Sequence, residues 1–84
     1  MNNEYVAVYS RVCPMCKTIS ELPLTKKETS AMSLYDSGFG LIQDLLPSCD
    51  KFEREFLKTG YCLRCQSKIF GSKAPETCRV QRIV

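Results

Sequence analysis

The amino-acid sequence predicts a small α+β domain in which a β-hairpin precedes two or three short helices. Three observations lead to this fold class. The chain has 84 residues, of which 44% are apolar and 25% charged, which is enough for one core and too few for two domains. A stretch rich in β-branched and aromatic residues near the start favours strands. Two capping-box sequences, each followed by apolar residues, favour helices.

The first predicted element is the β-hairpin. Residues 4–12 predict a strand that is partly apolar on both faces, and residues 17–22 alternate in part between polar and apolar and predict a second strand. Between them lies the sequence Cys13-Pro14-Met15-Cys16. We therefore expect the hairpin to turn at this cysteine pair.

The next segment predicts a helix and a shorter helical piece. Thr25 and Glu28 have the spacing of a capping box, so a helix is expected over residues 26–37, with Gly38 as its stop. Its buried side chains are expected to be Ala31, Met32, Leu34 and Tyr35. Residues 39–46 predict one or two further helical turns.

A second capping box, formed by Asp50 and Glu53, predicts a helix over residues 51–58. Gly60 follows as the left-handed residue that ends a helix. The side chains expected in the core are Phe52, Phe56 and Leu57. In the last third of the chain, residues 66–70 predict a short helix or strand, and residues 72–77 predict a loop. Residues 79–84 predict an edge strand or a frayed tail. We place the domain in residues 1–71 and treat residues 72–84 as a basic C-terminal extension.

The six cysteines carry the chemistry, since the chain has no histidine. Cys13 and Cys16 form one C-x-x-C pair, and Cys62 and Cys65 form another, 45 residues further on. This spacing lets both thiolates of a tight turn face one ion, and two such turns form the tetrahedron of sulfurs that Zn²⁺ prefers. The long insert costs little because loop-closure entropy grows slowly with length. The sequence therefore predicts one structural zinc ion in a zinc-ribbon or treble-clef-like fold.

Three alternatives compete with zinc. A disulfide framework needs an oxidising compartment, and the first residues lack the features of a signal peptide. A redox dithiol at Cys13 and Cys16 is expected in a βαβ context rather than in a hairpin. An iron–sulfur cluster also uses four thiolates, and this alternative to zinc stays open. A zinc site closed by four cysteines leaves no position for water, so we expect a protein that is not an enzyme.

Two cysteines lie outside the pairs. Cys49 precedes the cap of the second predicted helix, where a small apolar side chain usually packs, so we expect it to be buried. Cys78 stands beside Arg79, whose charge would lower its pKa, and we expect it to be a free thiol, buried or exposed. A role for Cys78 as a replacement metal ligand stays open.

The charge of +3 is unevenly distributed. Residues 1–50 carry four basic and six acidic side chains, whereas residues 51–84 carry eight basic and three acidic ones. A basic C-terminal third is typical of contact with nucleic acid or an acidic surface, and also of a solvated face. The candidate partner-binding residues are Glu53, Arg54, Lys58, Arg64, Lys68, Arg79 and Arg82. No apolar run is long enough for a membrane span, so we expect no membrane partner and a cytoplasmic location.

Several short motifs accompany the two C-x-x-C pairs between residues 13 and 71. They are Ile42-Gln43-Asp44-Leu45-Leu46-Pro47, Glu53-Arg54-Glu55-Phe56-Leu57-Lys58-Thr59-Gly60 before the second pair, and Ile69-Phe70-Gly71. With these motifs, this part of the sequence resembles small bacteriophage-encoded zinc-binding proteins. The resemblance implies that the protein comes from a phage, acts in the cytoplasm of the host cell and shares the fold of these proteins. It implies no mechanism, because this family is mostly uncharacterised.

Three functions are compatible with these observations. The first hypothesis is a non-enzymatic zinc-binding phage protein, monomeric or homodimeric, that binds and modulates a host protein, for example of the transcription or defence machinery, with inhibition as the expected effect. The second is a zinc-ribbon protein that binds nucleic acid through its basic C-terminal third. The third is a thiol redox protein. The small size, the closed metal site and the rigid helical faces favour the first hypothesis.

Overall fold

A computed structural model describes residues 4–83, which form three strands and four helices. In chain order these are β1 (Tyr5–Val12), β2 (Ile19–Thr25), α1 (Lys26–Asp36), α2 (Ile42–Leu45), α3 (Lys51–Thr59), α4 (Leu63–Phe70) and β3 (Gln81–Arg82). The strands make one antiparallel sheet in the order β1-β2-β3. The predicted small α+β fold is confirmed, whereas the zinc-ribbon or treble-clef type stays a prediction.

The cysteine-containing hairpin turn is present. The backbone N–H of Cys13 donates to the Thr18 carbonyl at 2.8 Å, and that of Lys17 donates to the Cys13 carbonyl at 2.9 Å. Lys17 has a φ of +66°, which reverses the chain direction and keeps residue 17 out of the strand. The second strand therefore begins later than predicted, at Ile19, and runs on to Thr25.

Both predicted capping boxes are formed. At the start of α1, the Thr25 hydroxyl accepts from the Glu28 N–H, and the Glu28 carboxylate accepts from the Thr25 N–H. Asp50 and Glu53 make the same reciprocal pair at the start of α3. Four orphan backbone groups of the two helix starts are thereby satisfied.

The predicted buried faces are largely confirmed. Phe52, Phe56 and Leu57 of α3 are buried, as are Ala31 and Met32 of α1. The prediction that Leu34 is buried is wrong, because its side chain is 46% exposed. The inward stripe of α1 follows helical spacing through Glu28, Ala31, Met32 and Tyr35, and Leu34 lies off that stripe.

The core lies between the inner face of the sheet and the helices. Its buried side chains are Leu22, Leu24, Ala31, Met32, Ile42, Leu46, Cys49, Phe56, Leu57 and Val80. A second, smaller cluster joins Cys13, Cys62 and Cys65, with Tyr61 packed against it. Val80 and the pairing of β3 with β2 bring the end of the described chain into the same unit. Within residues 4–83, no helix has the length and apolar character needed to cross a membrane.

Candidate metal centre

The hairpin turn positions the first cysteine pair. Cys13 is buried at the end of β1, and Cys16 is exposed near the tip of the turn. The Cys16 Sγ lies 3.0 Å from the Thr18 hydroxyl. The six residues 13–18 between β1 and β2 carry both cysteines, and their sulfurs lie next to those of the second pair at the start of α4.

The second pair is placed by the end of one helix and the start of the next. Gly60 ends α3 with a φ of +87°, and the chain then turns directly into α4. Cys62 caps α4, and its Sγ accepts from the Cys65 N–H at 3.5 Å. The pair therefore occupies the N-terminal turn of a helix, where backbone N–H groups favour thiolates. The cysteines themselves begin the helix, which explains why it starts at Leu63 rather than at residue 66.

A buried glutamine connects the segment of the second cysteine pair to α3 by hydrogen bonds. Gln66 is fully buried, and its Nε2 donates to the Tyr61 carbonyl at 2.9 Å and to the Phe52 carbonyl at 3.1 Å. Its Oε1 accepts no hydrogen bond from residues 4–83. Sequence reasoning did not predict these hydrogen bonds, because they join Gln66 to carbonyls 5 and 14 positions away.

The two pairs meet. The Sγ atoms of Cys13, Cys16, Cys62 and Cys65 all lie within 4.8 Å of one another. Cys16 and Cys62, 46 positions apart in the chain, have sulfurs 3.5 Å apart. A tetrahedron with Zn–S bonds of ~2.3 Å requires sulfurs about 3.8 Å apart, so this arrangement fits one zinc ion with modest adjustment. The prediction that both pairs converge on one site is confirmed.

The thiols respond differently to their surroundings. The Thr18 hydroxyl and backbone N–H lower the pKa of Cys16 to about 6. Burial opposes ionisation of Cys13, but backbone N–H groups outweigh it and lower its pKa. Burial and the neighbouring thiols raise the pKa of Cys65 to about 12. Four adjacent thiols cannot all ionise without a cation, and bound zinc would supply that charge and displace the protons.

The four-cysteine cluster, called the metal centre below, would be chemically closed around a zinc ion. Four thiolates occupy every position of a tetrahedral zinc ion, and softness of the ligands favours zinc over hard cations such as Mg²⁺. Three of the four cysteines are buried. In this arrangement the ion would crosslink the hairpin to α4, and no position would remain for a substrate.

A second group of potential ligands has another role. Oxygen or sulfur atoms of Asp50, Glu53 and Cys78 also lie within 4.8 Å of one another. Asp50 Oδ1 already accepts from the Glu53 N–H at 2.8 Å, and Glu53 Oε2 accepts from the Arg79 N–H at 2.7 Å. Asp50 Oδ1 and Glu53 Oε2 therefore already take part in helix capping and in an ion pair.

The remaining cysteines divide into one confirmed and one corrected prediction. Cys49 is buried, as expected, and burial raises its pKa to about 12. The expectation that basic neighbours lower the pKa of Cys78 is wrong, because burial raises it to about 12. The adjacent Arg79 is neutralised by two carboxylates. Cys78 is also not a member of the metal centre.

Two of the proposed partner-binding residues, Glu53 and Arg79, make ion pairs within the protein. The Arg79 guanidinium makes two hydrogen bonds of 2.8 Å to the Glu28 carboxylate, and its Nε lies 3.1 Å from Glu53 Oε2. We call Glu28, Glu53 and Arg79 the ionic hub. Glu53 is only 3% exposed. These side chains join the starts of α1 and α3 to the C-terminal segment, with the two carboxylates buried and the Arg79 side chain 18% exposed.

The other proposed partner-binding residues differ in exposure. Arg54 is half-buried and donates to the backbone carbonyl of Cys49. The side chains that lie at the surface are Lys58, Arg64, Lys68 and Arg82. Exposed basic side chains therefore lie on the end of α3, on α4 and on β3, whereas contact of any of these residues with a partner stays a prediction.

No protein-family model, no curated protein and no solved structure matches the chain. The resemblance to phage-encoded zinc-binding proteins therefore stays a prediction, as does a phage origin. The four-cysteine geometry stands without it, because that geometry rests on the positions of the sulfur atoms.

Proposed function

We propose that the protein is a non-enzymatic module that a zinc ion stabilises and that acts by binding another protein. The metal centre supports the first part, because four cysteine sulfurs within 4.8 Å of one another would fill the coordination sphere of zinc. A zinc site of this type contributes on the order of 10 kcal/mol to folding. That is comparable to the whole stability of a small domain, so the ion acts as a scaffold.

The outer face of the sheet supports the second part. Val6, Val8 and Val12 of β1 are 58%, 56% and 55% exposed, and Ile83 beyond β3 is 51% exposed. The inward residues Leu22 and Leu24 of β2 are buried under the helices. One sheet face is thus covered by helices, whereas the other presents a group of bare apolar side chains. Such patches on small proteins are typical of interaction surfaces.

The charge pattern of this face indicates what kind of surface it fits. Ser10, Glu21 and Gln81 lie side by side across the three strands, in the middle of the exposed valines. Glu21 makes no ion pair with residues 4–83. A partner surface with apolar side chains around one lysine or arginine would complement it. A second copy stacked face to face would bring two Glu21 carboxylates together, which disfavours such a homodimer.

The resemblance to phage proteins suggests who the partner is. In that case it is a host protein, for example of the transcription or defence machinery, and the module inhibits it by occupying its surface. The rigid sheet and the crosslinked turn favour this mode of action, because a preorganised surface loses little entropy on binding.

The test is affinity purification from host lysate with chemical crosslinking and mass spectrometry. We expect the wild type to retain a specific protein and a Val8→Ser/Val12→Ser variant to lose it. Leu41→Ser is the matched control, because Leu41 is 60% exposed but lies at the start of α2. Cys62→Ser serves as the unfolded control. Equal capture by the wild type and the double variant would exclude this face as the binding surface.

A further inference from the structure

A cavity of about 250 Å³ lies beside the metal centre. Its walls come from the hairpin turn, the start of α4 and the segment around β3. Thr18 and Ser20 line it with hydroxyl-bearing side chains, and Arg64 and Arg82 line it with guanidinium groups. Cys16 and Cys62 form its border with the metal centre. No acidic side chain from residues 4–83 takes part in its lining.

The two arginines of this cavity have no internal function that the structure reveals. Arg64 and Arg82 are exposed, and neither makes a side-chain hydrogen bond or ion pair within the described chain. The other arginines differ. Arg11 donates to the Leu57 carbonyl at 3.1 Å, and Arg79 is held by the ionic hub. Neither guanidinium group is paired with a carboxylate of residues 4–83, so both N–H forks are free to bind an external anion.

The positive charge extends beyond the cavity. Lys17 directly follows Cys16 in the hairpin turn, and Lys68 lies one helical turn after Arg64 on α4, and both are exposed. A zinc ion with four thiolates carries two negative charges, which repel anions. Four nearby cations outnumber these charges, so the surface stays positive when the metal is bound.

We propose that this cavity binds a phosphate of a nucleic-acid backbone. Arginine forks bind phosphate through paired N–H donors, and a tetrahedral phosphate accepts them from two sides, whereas a planar carboxylate offers two oxygens in one plane. Lys17 and Lys68 extend the contact to neighbouring phosphates. No aromatic side chain lines the cavity, so bases are not stacked there and binding is independent of sequence. This inference does not depend on the proposed protein partner.

The test measures fluorescence anisotropy of labelled mixed-sequence oligonucleotides, single-stranded and duplex, with zinc-loaded protein. We expect binding that weakens steeply between about 50 and 200 mM salt. Arg64→Gln/Arg82→Gln is expected to weaken binding at least tenfold and to reduce the salt slope by about 2. Lys26→Gln/Lys73→Gln is the matched control, because it removes two exposed charges outside the cavity, and its binding is expected to stay within about twofold of the wild type.

Several outcomes would overturn the inference. One is the absence of binding at low salt by protein with a full complement of zinc. Another is an equal loss in the two double variants, which would make net charge the cause. Displacement of the oligonucleotide by polyaspartate at an equal concentration of charge would assign the site to acidic peptides instead. Zinc content and circular dichroism of each variant show that any loss does not come from unfolding.

Discussion

The metal centre and the ionic hub are two regions that hold distant parts of the chain together by different interactions. The metal centre has almost no apolar support, since its cluster consists of three buried cysteines and Tyr61. The ionic hub adjoins the main core, with ten buried side chains. In the first region an ion would join the hairpin to α4, whereas the second is held by packing, capping and an ion-paired arginine. The four cysteines that could hold such a crosslink thus lie where the core of this small chain is thinnest.

The largest expected effect is loss of the metal. Chelation is expected to leave the protein largely unfolded or molten, because a zinc contribution on the order of 10 kcal/mol matches the whole stability of such a domain. The measurement combines elemental analysis, which should give one zinc per chain, with near-ultraviolet circular dichroism and thermal unfolding. Residual order after chelation is expected around α1 and the ionic hub rather than in α4. An unchanged melting transition in metal-free protein would contradict the role given to the metal centre.

The second effect concerns the ionic hub. Arg79→Met leaves the Glu28 and Glu53 carboxylates buried without a cation, and breaking a buried ion pair in this way costs about 3–5 kcal/mol. Urea unfolding of zinc-saturated protein measures the change. Arg82→Met is the control, since Arg82 is exposed and makes no ion pair within residues 4–83, and it is expected to change stability by no more than about 0.5 kcal/mol. Similar losses in both variants would remove the distinction between the two arginines.

These two regions also differ in how far sequence predicts them. The capping roles of Glu28 and Glu53 are visible because the signal spans only four residues, and the repeated C-x-x-C spacing indicates the metal centre. Arg79 joins carboxylates 51 and 26 positions away, and no local pattern encodes such pairing. The same limit explains Cys78. Its neighbour is a cation in sequence, but tertiary contacts neutralise that cation and bury the thiol. Likewise, the alternating valines of β1 indicate a strand without showing which of its faces the helices leave bare.

The third prediction is that the ionic hub and the metal centre lose their stabilising interactions at different pH values. Hydrogen bonds from Arg79 lower the pKa of Glu28 to about 2 from an ordinary value of 4.5. The folded pKa is depressed, so this stabilisation is fully present above pH 4.5 and is lost as the pH falls towards 2. The loss amounts to about 3 kcal/mol at most, at 1.36 kcal/mol per pKa unit.

Glu28→Gln tests this assignment. The variant is expected to be less stable near neutral pH and to lose the acid-dependent part of its stability between pH 4.5 and 2. Zinc release, followed with a chromophoric indicator, is expected to begin at a higher pH than this step, because protons compete directly for the thiolates. If the variant keeps the full acid dependence of the wild type, other carboxylates are responsible for it.

The smallest expected effect compares two glycines that end neighbouring helices. Gly60 and Gly71 both have left-handed backbones, with φ of +87° and +72°. A Cβ at Gly71 would meet no atom within 4 Å, whereas a Cβ at Gly60 would lie 3.3 Å from the Nε of Arg11. The conformational cost of alanine at either position is about 1–2 kcal/mol. Gly60→Ala is expected to cost more, because the Arg11 side chain must also move and because Gly60 leads directly into the second cysteine pair.

Urea unfolding measures the two costs, and competition with a zinc indicator is expected to show weaker zinc binding for Gly60→Ala alone. Equal costs and equal zinc affinities in the two variants would mean that the approach of Arg11 to Gly60 does not help to shape the metal centre.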